Sequence, residues 1–472
     1  MSGGAGGAGG AAVVAERPRH SDPRPYSFPA FERVELPNGL GVIGVHLPGR
    51  GLASASLVIP AGAVDEPEDR AGVMALMARA LTEGTERRSA VELTEAAERL
   101  GASIHAEAGW DGLSVSVDVP VARLGAALDL AAEVLAEPTF PEAEVERLRD
   151  ERLNDLLQAL ADPRRRADDG FVETIYADGS PYRRPSGGTR ETVERLDADA
   201  CRAIHARRFD PAGMTLIIGG DLSGLDVVSL AAASFGRLER AATAESLSAA
   251  AVAPSTTERR IRILHRPGSV QTEIRIGHVG LPRRIPDFHA VSVMSAILGG
   301  LFNSRLNRKL REEKGYTYGA GAGFELRRAA GPFAARAAVN TEVTVPAVVD
   351  VIAELDRMRD GPIDDAELHA ARDYLVGVFP LRFETPPAVV GAIAGLIIHG
   401  LPFDELERYR PSIEAVGHPD VLAAAQAHVR PAEAAIVLVG DADTFLPALE
   451  GAELGPVVID REVLPTGEAP HG

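Results

Sequence analysis

Cys201 and His205 lie four residues apart in the helical stretch Asp197-Ala-Asp-Ala-Cys-Arg-Ala-Ile-His205, a spacing that puts a thiol and an imidazole on one face. A nucleophile and its base need that proximity. Yet Cys201 is the only cysteine of the chain, and a lone cysteine on an apolar helix face reads better as a small buried hydrophobe. Of the twelve histidines, no two stand three or four residues apart. The chain therefore carries neither H-E-x-x-H nor H-x-x-E-H, the helical pairs that grip zinc. Walker A and G-x-S-x-G patterns are absent, and Gly299-Gly300 is too short a run to cradle a phosphate. A single cysteine also excludes a disulfide framework and any Cys-clustered metal site. Residue types and spacing alone assemble no active site.

The elements that would position such residues come from a duplication. Pro211-Ala-Gly-Met-Thr-Leu-Ile-Ile-Gly-Gly-Asp221 returns as Pro431-Ala-Glu-Ala-Ala-Ile-Val-Leu-Val-Gly-Asp441, offset by 220 residues without a gap. Each copy predicts an apolar strand ending in Gly-Asp. A period this long marks a duplicated domain rather than a solenoid repeat. Alternation over 113–121 predicts a half-buried strand; 121–136 and Glu142–Ala161 predict helices, the second ending at Asp162-Pro163. Wet-faced strands mixed with amphipathic helices give an α+β class: two homologous domains, each a mostly antiparallel sheet covered by helices. The expected boundaries are a flexible tail at 1–25, domains at 26–239 and 259–450, a small-residue linker at 240–258, and a C-terminal tail at 451–472.

The 472 residues are 45% hydrophobic and 25% charged with a net charge of −19, the balance of a globular protein and a poor match for nucleic acid or anionic membrane. No apolar stretch reaches the length of a membrane span, and the Gly/Ala-rich start lacks the features of a signal peptide. The expected location is the cytoplasm, with no nucleic-acid or membrane partner. Only two lysines stand among 49 basic residues, a bias suggesting a GC-rich bacterial genome.

Residues 71–85, AGVMALMARALTEGT, place Val73, Leu76, Met77, Ala80 and Leu81 on one buried stripe and residues 75, 78 and 79 on another face. This segment resembles the zinc helix of the insulinase/pitrilysin-type inverzincin peptidases, above all their mitochondrial-processing-peptidase-like branch, whose frame is A-G-[LV]-x-H-x-x-E-H-x-L-x-x-G-T. Ala71-Gly72, Leu81 and Gly84-Thr85 keep the frame, but the two histidine positions are Ala75 and Arg79 and the glutamate position is Ala78. The family's third ligand, a glutamate on the later long helix, falls in register at Asp155. Two methyls, a guanidinium and one carboxylate make a degenerate zinc motif. Arg79 reads as an ion-paired or solvated face residue.

Val34–Leu40, Leu100–Ala106 and Pro181–Gly188 extend the resemblance, and Leu298–Leu306 followed by Leu310-Arg-Glu-Glu-Lys-Gly-Tyr-Thr-Tyr-Gly319 is its most specific part. In that family the last segment supplies an arginine and, seven residues on, a tyrosine that reach the zinc domain; here they are Arg311 and Tyr318. Taken alone, Arg311 is an ordinary cation in the last turn of a helix stopping at Gly315, and Tyr318 a half-buried aromatic of the next strand.

The resemblance implies a subunit that holds no cofactor itself and is inactive alone. It would complete the site of an H-x-x-E-H-bearing homologous subunit, where the zinc is expected. The pair would form a clamshell peptidase acting on unstructured peptides, with Arg311 binding substrate and Tyr318 stabilising the oxyanion. The alternative is a non-enzymatic structural or peptide-binding homologue of the same fold.

Overall fold

The two apolar runs of the repeat are strands with every residue buried, because both of their faces are covered. The computed structural model describes residues 24–240 and 252–461. In the first half, β1 (Glu32–Glu35), β2 (Gly41–His46), β3 (Leu52–Ile59), β4 (Ser103–Ala108), β5 (Leu113–Pro120) and β6 (Thr215–Gly220) order as β1-β2-β6-β3-β5-β4. In the second, β7 (Arg260–His265), β8 (Gln271–Val279), β9 (Ala320–Phe324), β10 (Pro332–Asn340), β11 (Ala435–Gly440) and β12 (Val457–Asp460) order as β12-β7-β11-β8-β10-β9. Only β2/β6, β7/β11 and β7/β12 pair in parallel; the other ladders are antiparallel, as expected.

Five strands of each sheet share one order, and the duplication extends to single hydrogen bonds. The Nδ1 of His46 accepts the Leu222 N–H at 3.1 Å, and the Nδ1 of His265 accepts the Ala442 N–H at 3.2 Å. Asp221 caps Gly49 and Asp441 caps Gly268, both at 2.9 Å. The sixth strands differ: β1 opens its domain and pairs antiparallel with β2, whereas β12 closes its domain and pairs in parallel with β7. The C-terminal domain therefore runs past 450 through Asp460, correcting the expected tail at 451–472.

The helices of the first half are α1 (Val73–Ala80), α2 (Ala90–Leu100), α3 (Leu124–Ala136), α4 (Glu142–Ala161), α5 (Pro163–Ile175), α6 (Arg190–Val193), α7 (Ala198–Arg208) and α8 (Val227–Phe235). Those of the second are α9 (Phe288–Ser295), α10 (Arg305–Asn307), α11 (Thr344–Asp360), α12 (Asp365–Val378), α13 (Pro386–His399), α14 (Glu405–Ala415), α15 (His418–His428) and α16 (Ala442–Gly451). One face of each sheet packs on helices of its own half, α1, α3 and α7 in the first and α9, α11 and α15 in the second.

The opposite faces are covered by exchange. From the first half, α5 sets Ala167, Phe171 and Ile175 on Leu264, Val437 and Val439 of the second sheet. From the second half, α13 sets Val389, Val390 and Ile393 on Ile43, Val58 and Ile217 of the first. Each large apolar side chain buried this way contributes about 1.5–3 kcal/mol, so the halves are bound as one body despite their separate sheets. Tyr182 and Arg328 add a polar seam: the Tyr182 hydroxyl donates to Asp111 at 2.7 Å, and the Arg328 N–H donates to the same carboxylate at 2.7 Å.

Of the expected linker, 252–258 is docked rather than free: the Ser255 N–H donates to the Ile175 carbonyl at 2.8 Å, and the Ala177 N–H donates to Ala253 at 3.0 Å. Residues 241–251, and 1–23 of the expected tail, lie outside the described residues. Among the described residues no single helix is long and apolar enough to cross a membrane.

Candidate functional site

The frame around residues 71–85 is built for a helix start. Gly72 has φ +96°, and a Cβ there would sit 2.6 Å from the Gly187 carbonyl oxygen, so only glycine fits. The buried Glu66 carboxylate then accepts the Gly72 and Met74 N–H groups at 2.9 and 2.7 Å, capping α1. On that helix Ala75 is half-buried, Ala78 is buried and Arg79 is exposed.

Of the four residues in question, Arg79 and Asp155 stand in ion pairs. Arg79 donates to Glu151 of α4 at 2.6 Å, and Arg147 donates to the same carboxylate at 2.6 Å and to Glu83 at 3.0 Å. Arg79, then Arg147, hold the Glu151 carboxyl below its ordinary range. Asp155 is gripped by both terminal nitrogens of Arg165, at 2.8 and 3.0 Å, and by Arg152. The Arg165 hydrogen bonds lower its pKa most. Ala75, Ala78 and Arg79 offer no donor to a cation, and the one carboxylate in register is already shared by two guanidinium groups. This residue set does not fit a zinc ion.

The second segment is anchored from beneath. Arg305, 2% exposed at its side chain, donates to Glu367 at 2.7 and 3.1 Å and to the carbonyls of Pro362 and Arg357. Asn307 staples the two sides of the segment, accepting the Ala320 N–H at 2.8 Å and donating to the Leu301 carbonyl at 3.3 Å. Gly299 lies against β9, where a Cβ would meet the Ala322 nitrogen at 2.0 Å; the expected glycine pair serves close packing.

The expected helix stopping at Gly315 is α-helical only over Arg305–Asn307 and then widens into a π-helical turn, Arg308–Glu313. Arg311 sits in that turn with its guanidinium 4.1 Å over the Phe302 ring. Tyr318 is not half-buried on a strand. It lies in the loop before β9 and is 96% exposed. Among the described residues neither the Arg311 guanidinium nor the Tyr318 hydroxyl has a hydrogen-bond or ion-pair partner.

Tyr318 borders a cavity of about 900 Å³ walled by α5, β8, β9 and β10. Its charged lining includes Arg164 and Asp168 of α5, Glu273 and Arg275 of β8, and Arg336 of β10. Arg275, almost wholly buried, donates to Asp168 at 2.6 Å and to Glu273 at 2.9 Å. Neither Arg311 nor Ala75, Ala78, Arg79 and Asp155 lines this space. Apart from Tyr318 and Gly299, its lining residues carry no signal in the sequence, because they come from separate elements with no shared spacing. The Cys201–His205 pair carries no chemistry here: Cys201 is fully buried, and the His205 ring stacks on Phe209 and bonds the Leu135 carbonyl.

Comparison with known proteins places this geometry. Residues 42–180 match the model of the insulinase family (peptidase family M16), and residues 195–375 match that of the peptidase M16 inactive domain. An uncharacterized zinc protease of Mycobacterium tuberculosis is 28% identical over 376 residues, 78% of this chain and 83% of that protein. The non-peptidase homolog YmxG of Helicobacter pylori is 24% identical over 370 residues, 76% of this chain and 80% of that one. Among solved structures, a peptidase M16 inactive domain from Pseudomonas fluorescens superposes with a TM-score of 0.78 at 25% identity, covering 87% of this chain and 98% of that chain. A Helicobacter pylori protease shares the fold with a TM-score of 0.81 at 19% identity, over 88% and 100%. The chain belongs to the insulinase family, peptidase family M16.

Proposed function

We propose that this chain is the non-catalytic subunit of a cytoplasmic, heterodimeric zinc endopeptidase. It supplies Arg311 and Tyr318 to the site of an H-x-x-E-H-bearing homologue, which holds the zinc. The observation that carries this reading is a contrast within one chain. Of the positions matched to the zinc motif, Ala75 and Ala78 carry no polar group and Arg79 and Asp155 are held in internal ion pairs, while Arg311 and Tyr318 keep their donors unclaimed. A scaffold has no use for two unpaired donors on one anchored segment. Arginine offers a peptide carbonyl a fixed fork of N–H groups. A phenol donates to the carbonyl oxygen as it gains negative charge. The substrate is an unstructured peptide, for which the Tyr318 cavity offers room. Similarity to a protein named a non-peptidase homolog supports the non-catalytic assignment.

The test is a mixing assay. Each purified subunit alone should leave an internally quenched peptide intact, and the pair should cleave it. Wild-type rates from the Arg311→Ala, Tyr318→Phe double variant would reduce this chain to a structural homologue.

A further inference from the structure

We propose that Phe302 is a positioning residue for Arg311, its ring holding the guanidinium flat so that the donors stay free for a peptide; this rests on the subunit reading above. Five cations lie between residues 305 and 314. Four are paired with carboxylates: Arg305 and Arg308 with Glu367, Lys309 with Glu313, and Lys314 with Asp350. Arg311 alone among them is held by a ring, at 4.1 Å. The difference is chemical. A carboxylate partner would occupy the in-plane N–H groups that a substrate carbonyl needs. A ring takes the flat face of the guanidinium and leaves its edge open.

Phe302 has no other evident employment, since its side chain stays 64% exposed and belongs to neither domain core. Leaving a phenylalanine in water is unfavourable, and its place over Arg311 gives the exposure a purpose. The backbone supports the same arrangement. Phe302 follows the π-helical turn Ala296–Gly300 and Arg311 sits in the second, Arg308–Glu313. The i to i+5 bonds from Leu301 to Ala296 and from Lys314 to Lys309 close them at 3.1 and 3.2 Å. Single π turns are uncommon and concentrate at functional sites. Here Phe302 lies two residues beyond one of them and Arg311 lies within the other.

The experiment uses the complex of this chain with its H-x-x-E-H-bearing homologue and an internally quenched peptide. Phe302→Leu should raise KM about two- to fivefold, the size of an exposed cation–π contact, with kcat nearly unchanged. Phe302→Trp should restore KM, and Phe302→Leu should add nothing in an Arg311→Ala background. An unchanged KM in Phe302→Leu beside a raised KM in Arg311→Ala overturns the positioning role and leaves the subunit reading standing. Unchanged kinetics in Arg311→Ala overturn both. A second readout needs no partner: in arginine side-chain NMR of the chain alone, the Arg311 Nε–H resonance should be ring-shifted upfield and lose that shift in Phe302→Leu. No change there overturns the stacking itself.

Discussion

Arg79 of α1 and Glu151 of α4 meet at 2.6 Å and join the two helices at the surface. The pair lies on the surface, each side chain close to half exposed, so its electrostatic gain is small after solvent screening. Its structural value lies in continuity with Arg147 and Glu83, which tie the end of α1 to α4 a second time.

Arg79→Ala should therefore cost no more than about 1 kcal/mol in urea unfolding. Ala78→Glu, at a position with no exposure, should cost more, about 1–3 kcal/mol or above, because it buries a carboxylate without a partner. Equal midpoints for the two variants would contradict this assignment of faces on α1.

The isolated chain should carry no stoichiometric zinc by atomic absorption after mild chelation. Restoring the motif letters by Ala75→His, Ala78→Glu, Arg79→His and Asp155→Glu should give at most weak metal affinity. Position 155 faces Arg152 and Arg165, and ligating histidines also need partners that fix their tautomers. Tight zinc binding by the quadruple variant would sink this reading.

Tyr318→Phe should leave thermal stability unchanged, since the side chain is almost wholly exposed. In the mixed complex it should lower kcat on the order of 10²–10³-fold, the loss of one oxyanion donor. The informative pair of measurements is the melting temperature of the chain and kcat of the complex at saturating partner.

His278 predicts an acid dependence. Its Nδ1 faces the Val279 carbonyl at 2.9 Å, and its Nε2 accepts the Arg430 N–H at 3.0 Å, which fixes a neutral ring. Burial, then Arg430, pushes its pKa down to about 4. The unfolded chain, titrating near 6.5, takes up this proton before the folded one does. Stability from this group is full above pH 6.5 and is lost as pH falls toward 4, by about 3 kcal/mol. His278→Gln should flatten that slope in urea midpoints measured from pH 7 to 4.

Cys201 should be inert to a thiol reagent in the native protein and react once unfolded, because burial pushes its thiol up to about 12 and the side chain has no exposure. Fast native modification would show that α7 opens.

What the sequence determined by itself is whatever rests on local periodicity or a fixed frame. The helix Glu142–Ala161, the alternating strand at 113–120 and the repeat at 211 and 431 were legible because side-chain period and breakers act within a few residues. So was the placing of residues 75, 78 and 79 on one helix, since i, i+3, i+4 spacing acts within a single turn. Tertiary structure alone decided what covers the apolar runs. A strand such as Ala435–Gly440 announces burial on both faces but not that α5, some 260 residues earlier, supplies one of them. It also decided the state of the Arg311 segment. A π-helical turn leaves no periodic mark, so neither the stack on Phe302 nor the exposure of Tyr318 could be read from letters. The cavity beside Tyr318 is assembled from α5, β8, β9 and β10, and the C-terminal edge strand β12 has no local mark because its pairing with β7 is a long-range choice. Local chemistry fixes which elements form; the closing of distant surfaces on one another fixes which of their residues meet.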